Sequence, residues 1–179
     1  MVDWIVEMLQ VYIPAERAKA LKRDKRVLAS MAKACRCRIE FAEDDAIEIE
    51  SDDKDAYAEF NAKNVIYAYG RGFEPRIAET LVHDDKYFSA IDLGAVGNSK
   101  RVGQIKARII GESGKTKNYI ESVSGARMAV HGDTISFIGT YSEIEEAEVA
   151  VKTLIEGGTH RVAYAKMEAA HRKNKAKPF

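Results

Sequence analysis

Long apolar runs are missing from this chain of 179 residues: nowhere do about 18 uncharged apolar residues follow one another, as a membrane-crossing helix needs. A secretory leader is not expected either, because Asp3 and Glu7 interrupt the apolar start of the chain. Cysteine is almost absent. Cys35 and Cys37 are the only two, and a Cys-x-Cys pair reads as two reduced thiols rather than a disulfide framework or half a metal site. A reducing, cytoplasmic location is the default expectation. Proline and glycine are not enriched, so disorder and fibrous folds are excluded. Net charge is also missing, with 28 basic and 28 acidic residues. That balance argues against a uniformly basic nucleic-acid binder, but the charges are segregated. Residues 17–38, 100–117 and 161–177 are basic and 40–59 acidic. Such runs are usually solvated faces; the run at 100–117 coincides with a pair of glycines.

That pair lies in residues 109–130, IIGESGKTKNYIESVSGARMAV. Ile105, Ile109 and Ile110 give one helix an apolar face, and Tyr119, Ile120 and Val123 give another, which Ser124-Gly125 stops. Between them Gly111-Glu112-Ser113-Gly114 must turn the chain using backbone angles that glycine adopts cheaply. The next helix points free N–H groups and its positive dipole end at the gap, with Lys115 and Lys117 beside it, an arrangement suited to phosphate. The phosphate loop of nucleotide hydrolases, GxxxxGK[ST], fits only at Gly114-Lys115-Thr116. Its first glycine would fall on Ile109, and no buried strand precedes it. The order helix, GxxG, helix, strand 127–131, turn at Gly132-Asp133, strand 134–138 and closing helix resembles instead a KH domain, whose GxxG loop clamps about four nucleotides of single-stranded backbone.

An equivalent order precedes it. A strand is expected over 4–13, then a helix opened by Pro14, the stretch Lys22-Arg23-Asp24-Lys25, and a helix from 26 to about 34. Strands follow over 36–41 and about 47–49, then a helix over 54–69 capped by Ser51-Asp52-Asp53. Placing Lys22 opposite Gly111 puts Lys25 at Gly114, Met31 at Ile120 and Ile39 at Met128, so the chain reads as an internal duplication. The expected fold is α+β: two tandem type I KH domains (β-α-α-β-β-α), packed as one body with an extra C-terminal helix. The expected domains are 1–72, lacking GxxG; a connecting helix and linker, 73–86; 87–158 with the loop; and a helix with a basic tail, 159–179, held by Val162 and Met167. In the first unit four long side chains replace GxxG, so that unit has lost the clamp. Its expected role is structural, with residual phosphate contact through Arg17, Lys22, Arg23 and Lys25 as one alternative and a protein-binding face as another.

Tandem units of this kind, with IIGESGKTKNYIESVSGARMAVHGDTISFIG in the second and EGGTHRVAYAKMEAAHRK at the end, resemble the partner-of-Nob family of small-subunit ribosome assembly factors. The start directly at the first unit resembles archaeal members. The resemblance implies binding near the 3′ end of small-subunit ribosomal RNA precursor and contact with the PIN-domain endonuclease that matures it. Other assembly or initiation proteins are further possible partners, and no membrane is involved. The RNA-contact role falls on Gly111, Glu112, Ser113, Gly114, Lys115, Thr116 and Arg108. From the residues themselves, Lys117 adds charge; Ile109, Ile110, Ile120 and Met128 form an aliphatic floor for bases; and the strand edge from Arg127 reads them. The alternative is an adaptor that uses the KH fold without direct RNA recognition. Catalysis, cofactors and metals are not expected: His83, His131, His160 and His171 lack ligand spacing, Ser113 lies beside no histidine, and Asp44-Asp45 and Asp52-Asp53 read as turn and cap residues. Tyr67, Tyr69 and Phe73 read as helix packing.

Overall fold

The computed structural model describes residues 9–51, 53–83 and 85–176, and the chain divides into two compact units between Asp84 and Asp85. In the first, β1 (Leu9–Val11) leads to α1 (Ala15–Arg23), α2 (Lys25–Cys35), β2 (Cys37–Phe41), β3 (Ile47–Ser51) and α3 (Ala56–Gly70). A short α4 (Pro75–Ala78) and a 3-10 turn (Glu79–Val82) then pack back on α3. The antiparallel sheet runs β1-β3-β2, with Leu9 and Ile39 both opposite Ile49. Alternation in β2 and β3 sends Ile39, Ile47 and Ile49 to the buried face, where Leu21, Met31 and Ile66 close the core.

Several expectations change here. Residues 4–8 of the first expected strand and Asp52 lie outside the described residues; Leu9–Val11 is the strand that is described. The four-residue break between the first two helices is a single residue, Asp24, because α1 runs on through Lys22 and Arg23. α3 starts two residues later than expected: Lys54 is left-handed (φ 52°), and Asp55 is the cap, accepting from Tyr57 N at 2.9 Å.

The second unit holds β4 (Tyr87–Asp92), α5 (Ser99–Ile110), a 3-10 turn (Glu112–Gly114), α6 (Lys115–Ser124), β5 (Arg127–His131), β6 (Thr134–Gly139), α7 (Tyr141–Ile155) and α8 (His160–Lys175). Its sheet order, β4-β6-β5, repeats that of the first unit: first strand, third, second. Ile135 and Phe137 of the central strand meet Ile105, Ile109, Ile120 and Leu154 in one core. α8 is part of that core through Ala163 and Met167, both fully buried. Val162, expected to hold this helix, is 44% exposed. The inward pair is four apart, one helical turn, and Val162 falls beside that stripe.

Candidate nucleic-acid interface

The loop after α5 is shaped by three departures from ordinary backbone within four residues. Gly111 has φ +73°, and a β-carbon there would lie 2.4 Å from Thr116 Oγ1 and 2.8 Å from its backbone nitrogen. Residue 111 therefore must be glycine for both conformation and space. Ser113 is left-handed (φ 52°, ψ 28°), a conformation that costs a non-glycine residue about 1 kcal/mol or more. Gly114 follows with φ +80°, and the Gly114 N–H donates to Gly111 O at 3.2 Å. The result is a tight turn that keeps Glu112 and Ser113 exposed between two partly exposed glycines.

α6 opens directly from that turn. Its cap position is Gly114, which has no side chain to accept from the first-turn N–H groups. The other long helices of this unit are capped: Asn98 accepts from Arg101 N at 3.0 Å, Thr140 from Glu143 N and Thr159 from Val162 N. The Lys115 N–H turns back to Glu112 O, so the loop satisfies part of the first turn itself, and the dipole of a helix start with no side-chain cap favours an anion at the loop. Glu112 and Lys115 are highly exposed there, their charged ends 3.7 Å apart. Ile110, 36% exposed, adds an apolar side chain to the same surface.

The structure gathers only part of the expected set on this surface. Ile110, Gly111, Glu112, Ser113, Gly114 and Lys115 form it. Thr116 is buried beneath, filling the space that Gly111 leaves. Ile109, Ile120 and Met128 are core residues, so the expected aliphatic floor reduces to Ile110. Arg108 is committed elsewhere: its guanidinium donates to Leu154 O at 3.1 Å and Gly158 O at 2.5 Å, while His160 Nε2 bonds to its backbone oxygen at 2.9 Å. It ties the last turn of α5 to the α7–α8 junction. Lys117 and Arg127 both meet Glu121, at 3.3 and 3.5 Å. Glu121 also accepts from Met128 N at 2.7 Å, joining α6 to the edge strand β5.

Sequence reading missed Glu121, although its spacing of four from Lys117 is the helical ion-pair spacing. It also missed the contact of α8 with α6. Tyr119 donates to Glu168 at 2.5 Å and its ring lies 4.4 Å from that of Tyr164. Nothing in the local pattern links residues 45 and 49 apart.

In the first unit the corresponding corner is closed. The Asp24 carboxylate accepts from Arg26 N at 3.2 Å, placing a negative charge at the start of α2, where α6 has no side-chain cap. Lys22 pairs with Asp45 and lies 4.8 Å over the Phe41 ring. Arg17 donates to Tyr69 O and Phe73 O, both at 2.9 Å, and stacks on Tyr69. Tyr69 and Phe73 are buried packing residues.

The remaining candidates have structural surroundings. Among the described residues no group of three His, Cys, Asp or Glu could hold a metal. Burial pushes the Cys35 thiol up to about 12, so it stays protonated and unreactive. His171 and Asn174 both bond to the buried Glu146, at 2.7 and 3.0 Å.

Comparison with known proteins follows this geometry. Residues 87–172 match the eukaryotic type KH-domain (KH-domain type I) of the Pno1 second-domain group. A KH domain-containing protein of Methanocaldococcus jannaschii is 33% identical over 99% of this chain and 79% of its own length. The RNA-binding protein pno1 of Dictyostelium discoideum is 32% identical over 64% of this chain, which spans about half (49%) of that relative. Among solved structures, a chain in the a/eIF2alpha–aDim2p–rRNA complex of Pyrococcus horikoshii superposes with a TM-score of 0.86 at 28% identity, covering 96% of this chain and 97% of its own.

Proposed function

Since the chain belongs to the Pno1/Dim2 family of KH-domain, RNA-binding ribosome-assembly factors, we propose that its second unit holds single-stranded small-subunit ribosomal RNA, or its precursor, near the 3′ end. The observation that carries this reading is the uncapped start of α6 behind a loop whose two glycines are both in positive φ. Phosphates would lie along Gly111–Gly114 at the positive end of the α6 dipole, with Lys115 adding charge and Ile110 supporting a base. Arg108 and Thr116 act behind the loop by fixing its shape. Nothing in this arrangement needs the protein to perform chemistry. Its task is to hold one strand in place for others to process. The PIN-domain endonuclease that matures this end is the proposed protein partner, and the cytoplasm the proposed setting. Contact with an initiation factor is a further proposal, supported by the presence of a/eIF2alpha in the Pyrococcus horikoshii complex.

The test is a titration of the full chain with a single-stranded oligonucleotide of the small-subunit 3′ end, repeated across salt concentrations. Phosphate contacts release counterions, so affinity should fall steeply as salt rises. Binding that ignores salt, or no RNA binding at all, would favour an adaptor that meets proteins only.

A further inference from the structure

Glu121 stands apart from the rest of the loop region, because it is an acidic group embedded where a polyanion is to be held. Its side chain is only 14% exposed and gathers three donors from both sides of the α6–β5 seam. Met128 N–H donates to Oε1 at 2.7 Å, Arg127 Nε lies 3.5 Å from the same oxygen, and Lys117 Nζ lies 3.3 Å from Oε2. Lys117 lies in the first turn of α6 and Arg127 opens the edge strand β5, so without Glu121 both cations would be available to a strand that crosses the loop and that edge. A carboxylate here repels phosphate as well as occupying both cations. If the surface were built only for tight retention of RNA, a neutral acceptor would satisfy Met128 N–H equally well.

We propose that Glu121 is a specificity-determining residue: by pairing with Lys117 and with the half-exposed Arg127, it keeps them from neutralising phosphates indiscriminately. Retention of a strand then depends on how its backbone and bases fit the loop and the β5 edge. A strand seated in register on the loop and the β5 edge need not reach these two cations, whereas a strand that misses that register can bind through them, so withholding them lowers binding of the wrong strands more than that of the right one. This inference rests on the RNA-binding reading above.

The experiment compares Glu121→Gln with the unaltered chain, using a 3′-end oligonucleotide and an oligouridine of equal length. Glutamine keeps an acceptor for Met128 N–H and removes the charge. Oligouridine should bind threefold or more tighter to the variant. The slope of log affinity against log salt should steepen by up to about 1.4, the value for two phosphates on a single strand. Preference for the 3′-end sequence should narrow. Unchanged or weaker oligouridine binding with an unchanged slope overturns the proposal while leaving RNA binding itself intact. Failure of the unaltered chain to bind either RNA overturns both. Should the variant not fold, the unaltered chain still decides the matter. At saturating 3′-end RNA the Arg127 Nε–H resonance should keep its free-protein position, and its displacement would show that Arg127 leaves Glu121 for the RNA.

Discussion

A β-carbon at residue 111 would press into the Thr116 hydroxyl at 2.4 Å, while at residue 114 it would meet only Asn118 at 3.8 Å. The two glycines of the loop should therefore tolerate different replacements. Asparagine adopts left-handed angles more readily than most residues. Gly114→Asn should keep the fold and most of the RNA affinity. Gly111→Ala should force the start of α6 away from the loop and abolish measurable binding, even where circular dichroism shows the helices intact. Equal affinities for the two variants would contradict this ranking. Between the glycines, Ser113 is itself left-handed, a conformation that aspartate also tolerates. Replacing Glu112 and Ser113 together by Asp should therefore leave the melting temperature near that of the parent. The added carboxylate at 113 should weaken RNA binding at least tenfold, about 1.4 kcal/mol. Unchanged affinity in the same titration would remove the loop from the RNA site.

Helices that alternate by turns of apolar residues were legible from the sequence nearly to the residue; α5 and α6 begin and end where Ile105, Ile109, Ile120 and the flanking glycines place them. Legibility failed where no residue announces a break. α1 continues through Lys22-Arg23 because both are good helix formers, and the corner at Asp24 needs neither glycine nor proline. The start of α3 was misplaced because Asp52, Asp53 and Asp55 are equally good caps on paper, and only the left-handed turn at Lys54 selects the last. In the interface the glycine loop was legible, whereas the partners of Arg108 and Arg127 were not, since those bonds join residues brought together only by folding.

α8 belongs to the core, and its removal can be graded. Deleting residues 159–179 exposes the surface that Met167 and Ala163 cover. Loss of Met167 burial alone is about 2–3 kcal/mol, so the melting temperature should fall by about 10 °C or more. A melt unchanged by that deletion would make α8 a free arm. A shorter cut must spare Asn174, which helps satisfy the buried Glu146. α7 makes a different prediction. Burial raises the Glu143 carboxyl, but the Thr140 N–H and Lys86 bonds outweigh it and hold the group below its ordinary 4.5. A lowered carboxyl contributes stability that is complete above about pH 4.5 and is lost as pH falls through the folded-state value. Glu143→Gln should be less stable than the parent at neutral pH, and the gap should shrink on acidification below pH 4.5, measured by thermal melts. A gap independent of pH would refute the assignment.

At the scale of the whole molecule, one topology has been used twice with unequal endowment. Both units order their sheets first-third-second, yet one closes its helix corner with Asp24 and the other opens it with Gly114. RNA affinity should follow that inequality. Reversing charge at Lys22 and Lys25 should weaken binding less than the paired change at Glu112 and Ser113, and the opposite order would make the first unit the principal RNA site. Zero net charge is consistent with the proposal, which concentrates attraction at one loop rather than over a basic surface. The Arg108 knot carries a consequence for biosynthesis. Its two carbonyl partners lie 46 and 50 residues downstream, so a chain emerging from the ribosome displays the glycine loop well before the contacts that set its angle exist. Nascent chains stalled before Leu154 should not retain RNA, and those released with α8 complete should. On the proposed reading, the grip on RNA forms only after α7 and the junction to α8 have been made.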